Sequence, residues 1–299
     1  MKKAVLAAWV FSLAAACKTP HTAVTGAKMP FLKQGHRGTR GLMPENTIPA
    51  MEKGILSGAN TVEMDVHITR DGQVMVYHDA SPNPDYTTFG DGSEIPKADR
   101  KKYTFYQLDY AEIRKFNIGR KYYADYPQQQ RTDSYAPTLS ELIDSVENFT
   151  TEHHLPAVRY NVEIKSSPKT DGFEQPAPPE MVRRVMEVLV AKRLGDRLFV
   201  QSFDERPLQI IHREYPYILL GYLVENKQSF EENMAKLGFI PTFYNPQYGA
   251  VTPELIRVCH QKHIRICPWT VEDKEEMIKF KKMGVDGIIT DYPNLLDDL

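Results

Sequence analysis

Nine times along this chain an apolar, strand-like run stops, and several of the stops fall on a histidine, an acid or a cation. The runs end near His36, Asp65, His78, Lys165, Phe203, Val224, Tyr244, Thr270 and Thr290. Most are separated by stretches of helical period, such as 46–56, 179–194 and 273–283. A strand, a helix and a second strand pack as a parallel pair with a right-handed crossover, so their repetition predicts an α/β fold with one parallel sheet. Polar groups gathered at the C-terminal ends of several different strands favour closure into a (β/α)8 TIM barrel, which builds its site on that rim. Nine runs are one too many. Either one lies off the barrel, or residues 61–66 and 73–78, joined by the turn Thr69-Arg70-Asp71-Gly72, are organised without a helix between them.

The stops carry chemistry. Gly35-His36-Arg37-Gly38, Pro44-Glu45-Asn46-Thr47, Glu63-Met64-Asp65 and His78-Asp79 place two histidines, an arginine and several acids within about forty-five residues. Asn161-Val162-Glu163-Ile164-Lys165 adds another acid and another cation. A phosphodiester is anionic and gathers charge on its equatorial oxygens as it is attacked. Its cleavage needs cations aimed at those oxygens, a proton acceptor for the nucleophile and a donor for the leaving alkoxide. Glu63, Asp65 and Glu163 suit one hard divalent ion, Mg²⁺, Ca²⁺ or Mn²⁺. Glu63 and Asp65, two apart on a strand, point to one side, as shared ligands must. Arg37 and Lys165 supply fixed positive charge and donors for phosphate, or else pair structurally with the acids. His36 and His78 remain for proton transfer, with either order of acid and base open.

A chain of 299 residues with 41% hydrophobic composition is long enough for one large barrel domain. A net charge of −2 offers no basic excess for nucleic acid, which is excluded as a partner class. Lys2 and Lys3 precede an apolar run from Ala4 to Ala16 that is too short for a permanent span, and residues 1–16 read as a signal peptide. The expected location is therefore the periplasm or cell envelope. Ala14-Ala15-Ala16-Cys17 resembles a bacterial lipoprotein box, although Leu13 stands four places before the cysteine instead of three. A lipid anchor at Cys17 is the one membrane contact expected. Residues 17–28 read as a linker and 29–299 as the barrel domain. Cys259 and Cys267 lie in apolar contexts and read as buried thiols, while export would permit a bond between them.

Residues 80–136, rich in Tyr, Asp, Gly, Pro and Lys, are too long for an ordinary connection and read as an inserted cap after the third strand, over the barrel mouth. Thr138 then reads as the N-cap of a helix, with Glu141 completing a capping box. Glu45 and Asn46 serve either the site or simply the start of the first helix. Asn46, Phe203 and Trp269 are candidate substrate contacts, and the two aromatic residues read equally well as barrel core. His67, His153, His154, His212, His260 and His263 read as surface or packing residues.

Taken together, these motifs are similar to those of the glycerophosphodiester phosphodiesterase family. The resemblance runs from about Phe31 to Leu296. It continues past the clusters above through Thr69-Arg70-Asp71-Gly72, Pro137-Thr138-Leu139, Gln201-Ser202-Phe203, Pro268-Trp269-Thr270-Val271 and the run from Gly284 to Pro293. It implies a TIM barrel, one divalent metal, and hydrolysis of small glycerophosphodiesters to glycerol 3-phosphate and an alcohol. Carried over by residue, it makes Glu63, Asp65 and Glu163 the metal ligands, His36 and His78 the acid/base pair, and Arg37 and Lys165 the phosphate contacts. Two rival readings stand beside it: a related barrel phospholipase acting on intact lipid, and a non-catalytic exported protein that captures phosphate-bearing ligands.

Overall fold

The computed structural model describes residues 29–296, so the expected signal peptide, Cys17 and the linker lie outside the described residues. The first half contains β1 (Leu32–Gly35), α1 (Ile48–Leu56), β2 (Thr61–Ile68), β3 (Val74–Val76), β4 (Thr87–Thr88), α2 (Tyr110–Ile113), β5 (Asn117–Ile118) and α3 (Leu139–Glu152). There follow β6 (Arg159–Ile164), α4 (Pro178–Lys192), β7 (Leu198–Ser202), α5 (Glu205–Glu214), β8 (Leu219–Val224) and α6 (Phe230–Leu237). The chain ends in β9 (Phe243–Pro246), α7 (Pro253–Gln261), β10 (Arg265–Ile266), α8 (Lys274–Met283) and β11 (Gly287–Thr290).

Eight strands run parallel in the order β10, β9, β8, β7, β6, β2, β1, β11. Across the remaining seam Asp286 N donates to Ile266 O at 2.9 Å and Ile289 N to Pro268 O at 3.0 Å, so the sheet is a nearly closed TIM-like barrel, as expected. The surplus ninth run is β3. It folds back on β2 as an antiparallel partner, Val66 opposite Val76, through the 69–72 turn, and stands off the barrel. Its outer edge is satisfied where the chain returns, Val76 N donating to Pro137 O at 2.8 Å.

Side chains alternate across the sheet. Outward residues of β2 and β6, Val62, Met64, Val66, Tyr160, Val162 and Ile164, share one large apolar core with helix residues such as Met51, Leu142, Val185 and Leu208. Leu32, Phe199, Phe243 and Cys267 form a separate apolar plug inside the barrel. Two residues further along their strands, Gln34, Gln201 and Asn245 replace it with amides: Asn245 Nδ2 donates to Gln201 Oε1 at 2.9 Å, and Asn161 Nδ2 to Gln34 Oε1 at 2.9 Å. Another two residues bring His36, Glu163 and Phe203 to the C-terminal rim.

The helices begin where short polar side chains meet their first turns. Thr47 accepts from Ala50 N at 3.3 Å, with Pro49 in the first turn of α1, so Glu45 and Asn46 stand before the helix. Thr138 caps α3, accepting from Glu141 N at 3.1 Å. The expected capping box is not closed, because the Glu141 carboxylate turns outward to accept from the Tyr135 hydroxyl.

The insertion carries the two-stranded β4–β5 sheet and its own apolar core of Tyr77, Tyr86, Phe105, Ile113 and Ile118. Gln129 Nε2 donates to Arg40 O at 2.8 Å and Gln130 N to Leu42 O at 2.8 Å, which fastens it to the loop after β1. Cys259 and Cys267 are buried free thiols, so no bond joins them.

Candidate active site

The first turn after β1 sets the geometry. A Cβ at Gly38 would lie 2.6 Å from the backbone of Ala50, and one at Gly35 only 1.9 Å from Gly38 O, so the turn is clamped against α1 where only glycine fits. Arg37 between them is left-handed, φ 49°, an unusual state for a long side chain. It is held there because Arg37 N donates to Glu63 Oε2 at 2.8 Å.

Glu63, Asp65 and Glu163 converge, with β2 and β6 in register so that Asp65 sits opposite Glu163. One carboxylate oxygen from each lies within 4.8 Å of the others, and all three are buried. Burial, and then the charges of Asp65 and Glu163, push the Glu63 carboxyl well above its ordinary range. Burial raises Glu163 as well, with Asp65 adding to it against the pull of Lys165. Burial alone would raise Asp65 too, yet Lys165, His78 and Arg37 hold it below the usual carboxylate range. Three acids crowded this way, all oxygen donors, match what a hard divalent ion needs and a protein without one tolerates poorly.

Each candidate catalytic histidine is backed by an acid. His36 Nδ1 donates to Asp291 Oδ1 at 2.7 Å, and Arg40 grips the same carboxylate, NH2 to Oδ2 at 2.7 Å. Burial opposes ionisation of Asp291, but His36 and Arg40 hold it well below its usual range. Burial drops the His36 ring to about 4, so at neutral pH it is uncharged and its Nε2 carries the lone pair. His78 Nδ1 donates to Asp79 Oδ1 at 2.9 Å, and Arg100 and Asn83 take the other oxygen at 2.8 Å and 2.9 Å. Those contacts keep Asp79 ionised against its burial.

The cations surround the acids. Lys165 Nζ is 2.8 Å from Glu163 and 3.5 Å from Asp65. Arg37 NH1 donates to Glu45 Oε1 at 2.7 Å, and its Nε is 3.5 Å from Asp65. Both ion-pair with acids and both also border a cavity of about 290 Å³, together with His36, His78, Glu63 and Glu163. Phe203 and Trp269 form one wall of it, edge to face at 5.3 Å, and are therefore mouth residues, not barrel core.

Two expectations, for Asn46 and His67, need correction, and the open alternative for Glu45 is resolved. Asn46 is fully buried and spends its amide on Asp65, Nδ2 donating to Oδ2 at 2.8 Å and Oδ1 accepting from Asp65 N at 3.2 Å, so it lies behind Asp65 and is not among the residues that border the cavity. Glu45 does more than start a helix: it holds Arg37 and accepts from Tyr86 OH of the insertion at 3.0 Å. His67 is neither surface nor simple packing. It is buried next to the site, its Nε2 donating to His78 O at 3.0 Å, and burial drops its ring to about 4. Asp79, Gln201 and Asp291 stood in the motifs above without a role of their own and Arg40 was not singled out; Gln201 Nε2 donates to Glu63 Oε1 at 3.2 Å. Asp79 and Asp291 do end strand-like runs, which is the signal they offered.

Residues 36–295 match the model of the glycerophosphoryl diester phosphodiesterase family. The chain belongs to that family. A glycerophosphodiester phosphodiesterase of Caldanaerobacter subterraneus subsp. tengcongensis is 30% identical over 273 residues, 91% of this chain and 98% of the relative. Among solved structures, a Silicibacter pomeroyi DSS-3 protein assigned to glycerophosphoryl diester phosphodiesterases superposes with a TM-score of 0.76 at 30% identity, covering 89% of this chain and 92% of the other. An Oleispira antarctica phosphodiesterase, solved with its product sn-glycerol-3-phosphate, shares the fold with a TM-score of 0.70 at 22% identity, covering 89% and 94%. This family membership makes the enzyme class, phosphoric diester hydrolase, the one expected from sequence.

Proposed function

We propose that the protein hydrolyses glycerophosphodiesters to glycerol 3-phosphate and an alcohol, using one divalent ion held by Glu63, Asp65 and Glu163. The observation that carries this is the meeting, in one cavity, of a buried three-acid cluster, two cations and two carboxylate-backed histidines. The product seen on the Oleispira antarctica enzyme, sn-glycerol-3-phosphate, is the product proposed here. When bound, the ion supplies Lewis-acid charge at a phosphate oxygen.

The chain's own residues do the rest. Arg37 and Lys165 hold the equatorial oxygens as charge builds on them. His36, neutral and with Nε2 free, takes a proton from the attacking water, whose oxygen forms the new P–O bond of glycerol 3-phosphate, and Asp291 stabilises the imidazolium that results. As the P–O bond breaks, its electron pair stays on the departing oxygen, which takes a proton from His78. Phe203 and Trp269 wall the mouth. Asn46 positions Asp65 and does not touch substrate.

The test is release of glycerol 3-phosphate from soluble glycerophosphodiesters after chelation and re-addition of Mg²⁺, Ca²⁺ or Mn²⁺. Turnover that returns with one of these ions supports the proposal; headgroup release from intact lipid alone would hand the case to the phospholipase reading. Export with a lipid anchor at Cys17 is a separate proposal resting on residues 1–17. The mass of the mature N-terminus from a membrane fraction tests it. No helix among the described residues is long and apolar enough to cross a membrane.

A further inference from the structure

A second cavity of about 270 Å³ adjoins the first and shares His78, Glu163, Lys165 and Phe203 with it. A phosphodiester has two arms, and the shared wall contains the groups that would hold its phosphorus. One arm therefore falls on each side. His36 borders only the first cavity, whereas His78 faces both. A proton given by His78 to the departing oxygen is thus delivered at the boundary, which places the leaving alcohol in the second cavity and the glycerol beside Trp269.

The two cavities differ in charge. The first is bordered by Arg37, Arg40 and Lys165 against Glu63, Glu163 and Glu225. The second has Lys165 as its one cationic side chain against Asp79, Glu163 and Glu174. Of these acids Asp79 is taken by His78, Arg100 and Asn83, and Glu163 by Lys165. Glu174 is half-buried, and among the described residues no hydrogen bond or ion pair engages its carboxylate. His67 borders the same cavity. With Nε2 donating to His78 O, its Nδ1 is a bare acceptor, buried and without a partner. The loop that presents Glu174 is braced, Gln175 Nε2 donating to Ser167 O at 2.9 Å and Arg206 pairing with Asp171.

We propose that this second cavity is the leaving-group subsite, and that Glu174 makes it select a cationic amino alcohol over a neutral polyol. The proposal rests on the hydrolytic reading above and adds the substrate class to it. Acceptors without an opposing cation favour an ammonium group and offer a neutral headgroup no such gain.

The test compares kcat/KM for glycerophosphoethanolamine and glycerophosphoglycerol in the metal-supplemented full chain, as wild type, Glu174→Gln and Glu225→Gln. Wild type is expected to prefer the ethanolamine ester by roughly tenfold. E174Q should lose that preference through a raised KM for the ethanolamine ester, lowering its kcat/KM about tenfold more than that of glycerophosphoglycerol, and E225Q should keep it. Hydrolysis without charge preference, an E174Q effect equal on both esters, or selectivity lost in E225Q instead would overturn this subsite alone. Wild-type inactivity on every ester with every ion would overturn the hydrolytic reading and this one with it.

Discussion

Two carboxyl oxygens, one behind each histidine, decide much of the chemistry at this site. Asp291 Oδ1 fixes the His36 tautomer and Asp79 Oδ1 that of His78, so each ring presents Nε2 to the cavity. Replacing either histidine with alanine should lower kcat by roughly 10²- to 10⁴-fold. Calorimetry should still find the metal bound in both variants, since neither ring belongs to the proposed ligand set; normal turnover in both would remove them from catalysis. Asn46→Ala tests the positioning role assigned above. It strips Asp65 Oδ2 of its amide donor, so metal affinity should fall about 10- to 100-fold, the usual weight of a residue that orients a ligand. Rescue of the lost turnover at high metal concentration distinguishes this from a lost substrate contact.

Among the elements, the turn after β1 meets α1 backbone to backbone at glycines. Gly38→Ala would drive a methyl into the Ala50 backbone at a left-handed position, φ 86°, and the turn carries His36 and Arg37. A stability loss of about 2 kcal/mol or more is expected, read as a lowered denaturation midpoint, with activity falling further than stability. The insertion reaches the site through Tyr86 and Glu45. Tyr86→Phe removes one donor from Glu45 and frees Arg37 to move; kcat should drop several-fold with little change in the midpoint. An unchanged kcat would show that the insertion serves only stability. The length and composition of 80–136 announced an insertion. They could not announce where it is fastened, because that depends on contacts with Arg40 and Leu42, which are some ninety residues upstream of Gln129 and Gln130.

For the molecule as a whole, titration and metal binding act on the same stability. His36 and His67 each fall from 6.5 when free to about 4 when folded. Between those values the unfolded chain binds more protons, so stability is full above about pH 6.5 and declines as pH falls toward 4. A plot of midpoint against pH that is flat through this window would refute the assignment. Glu63 and Glu163 work the other way, since their folded values are raised and the metal-free protein loses stability as pH rises through them. A divalent ion should therefore raise the thermal midpoint at neutral pH. Glu63→Gln should raise the midpoint of the chelated protein, abolish most of the ion's effect and destroy turnover. A variant that still gains stability from the ion would place the metal elsewhere.

How much of this was legible depended on distance along the chain. Alternation on β1, β2 and β6 wrote Gln34 and His36, Glu63 and Asp65, and Asn161, Glu163 and Lys165 onto one side of their strands, and β-then-α repetition implied that those strands lie in one parallel sheet. The barrel, its mouth and the acid cluster follow from that local periodicity, because a strand's two faces are fixed by the tetrahedral backbone whatever surrounds them. The carboxylate behind His36 comes from 255 residues away, and the choice of Asn46 to brace Asp65 instead of meeting substrate depends on a left-handed turn packed against a helix. Such pairings exist only once β11 closes against β1 and α1 docks, since the hydrogen bonds that define them join groups which the covalent chain leaves independent. Sequence by itself therefore determined which residue types reach the rim, and the closed barrel alone decided which of them touch.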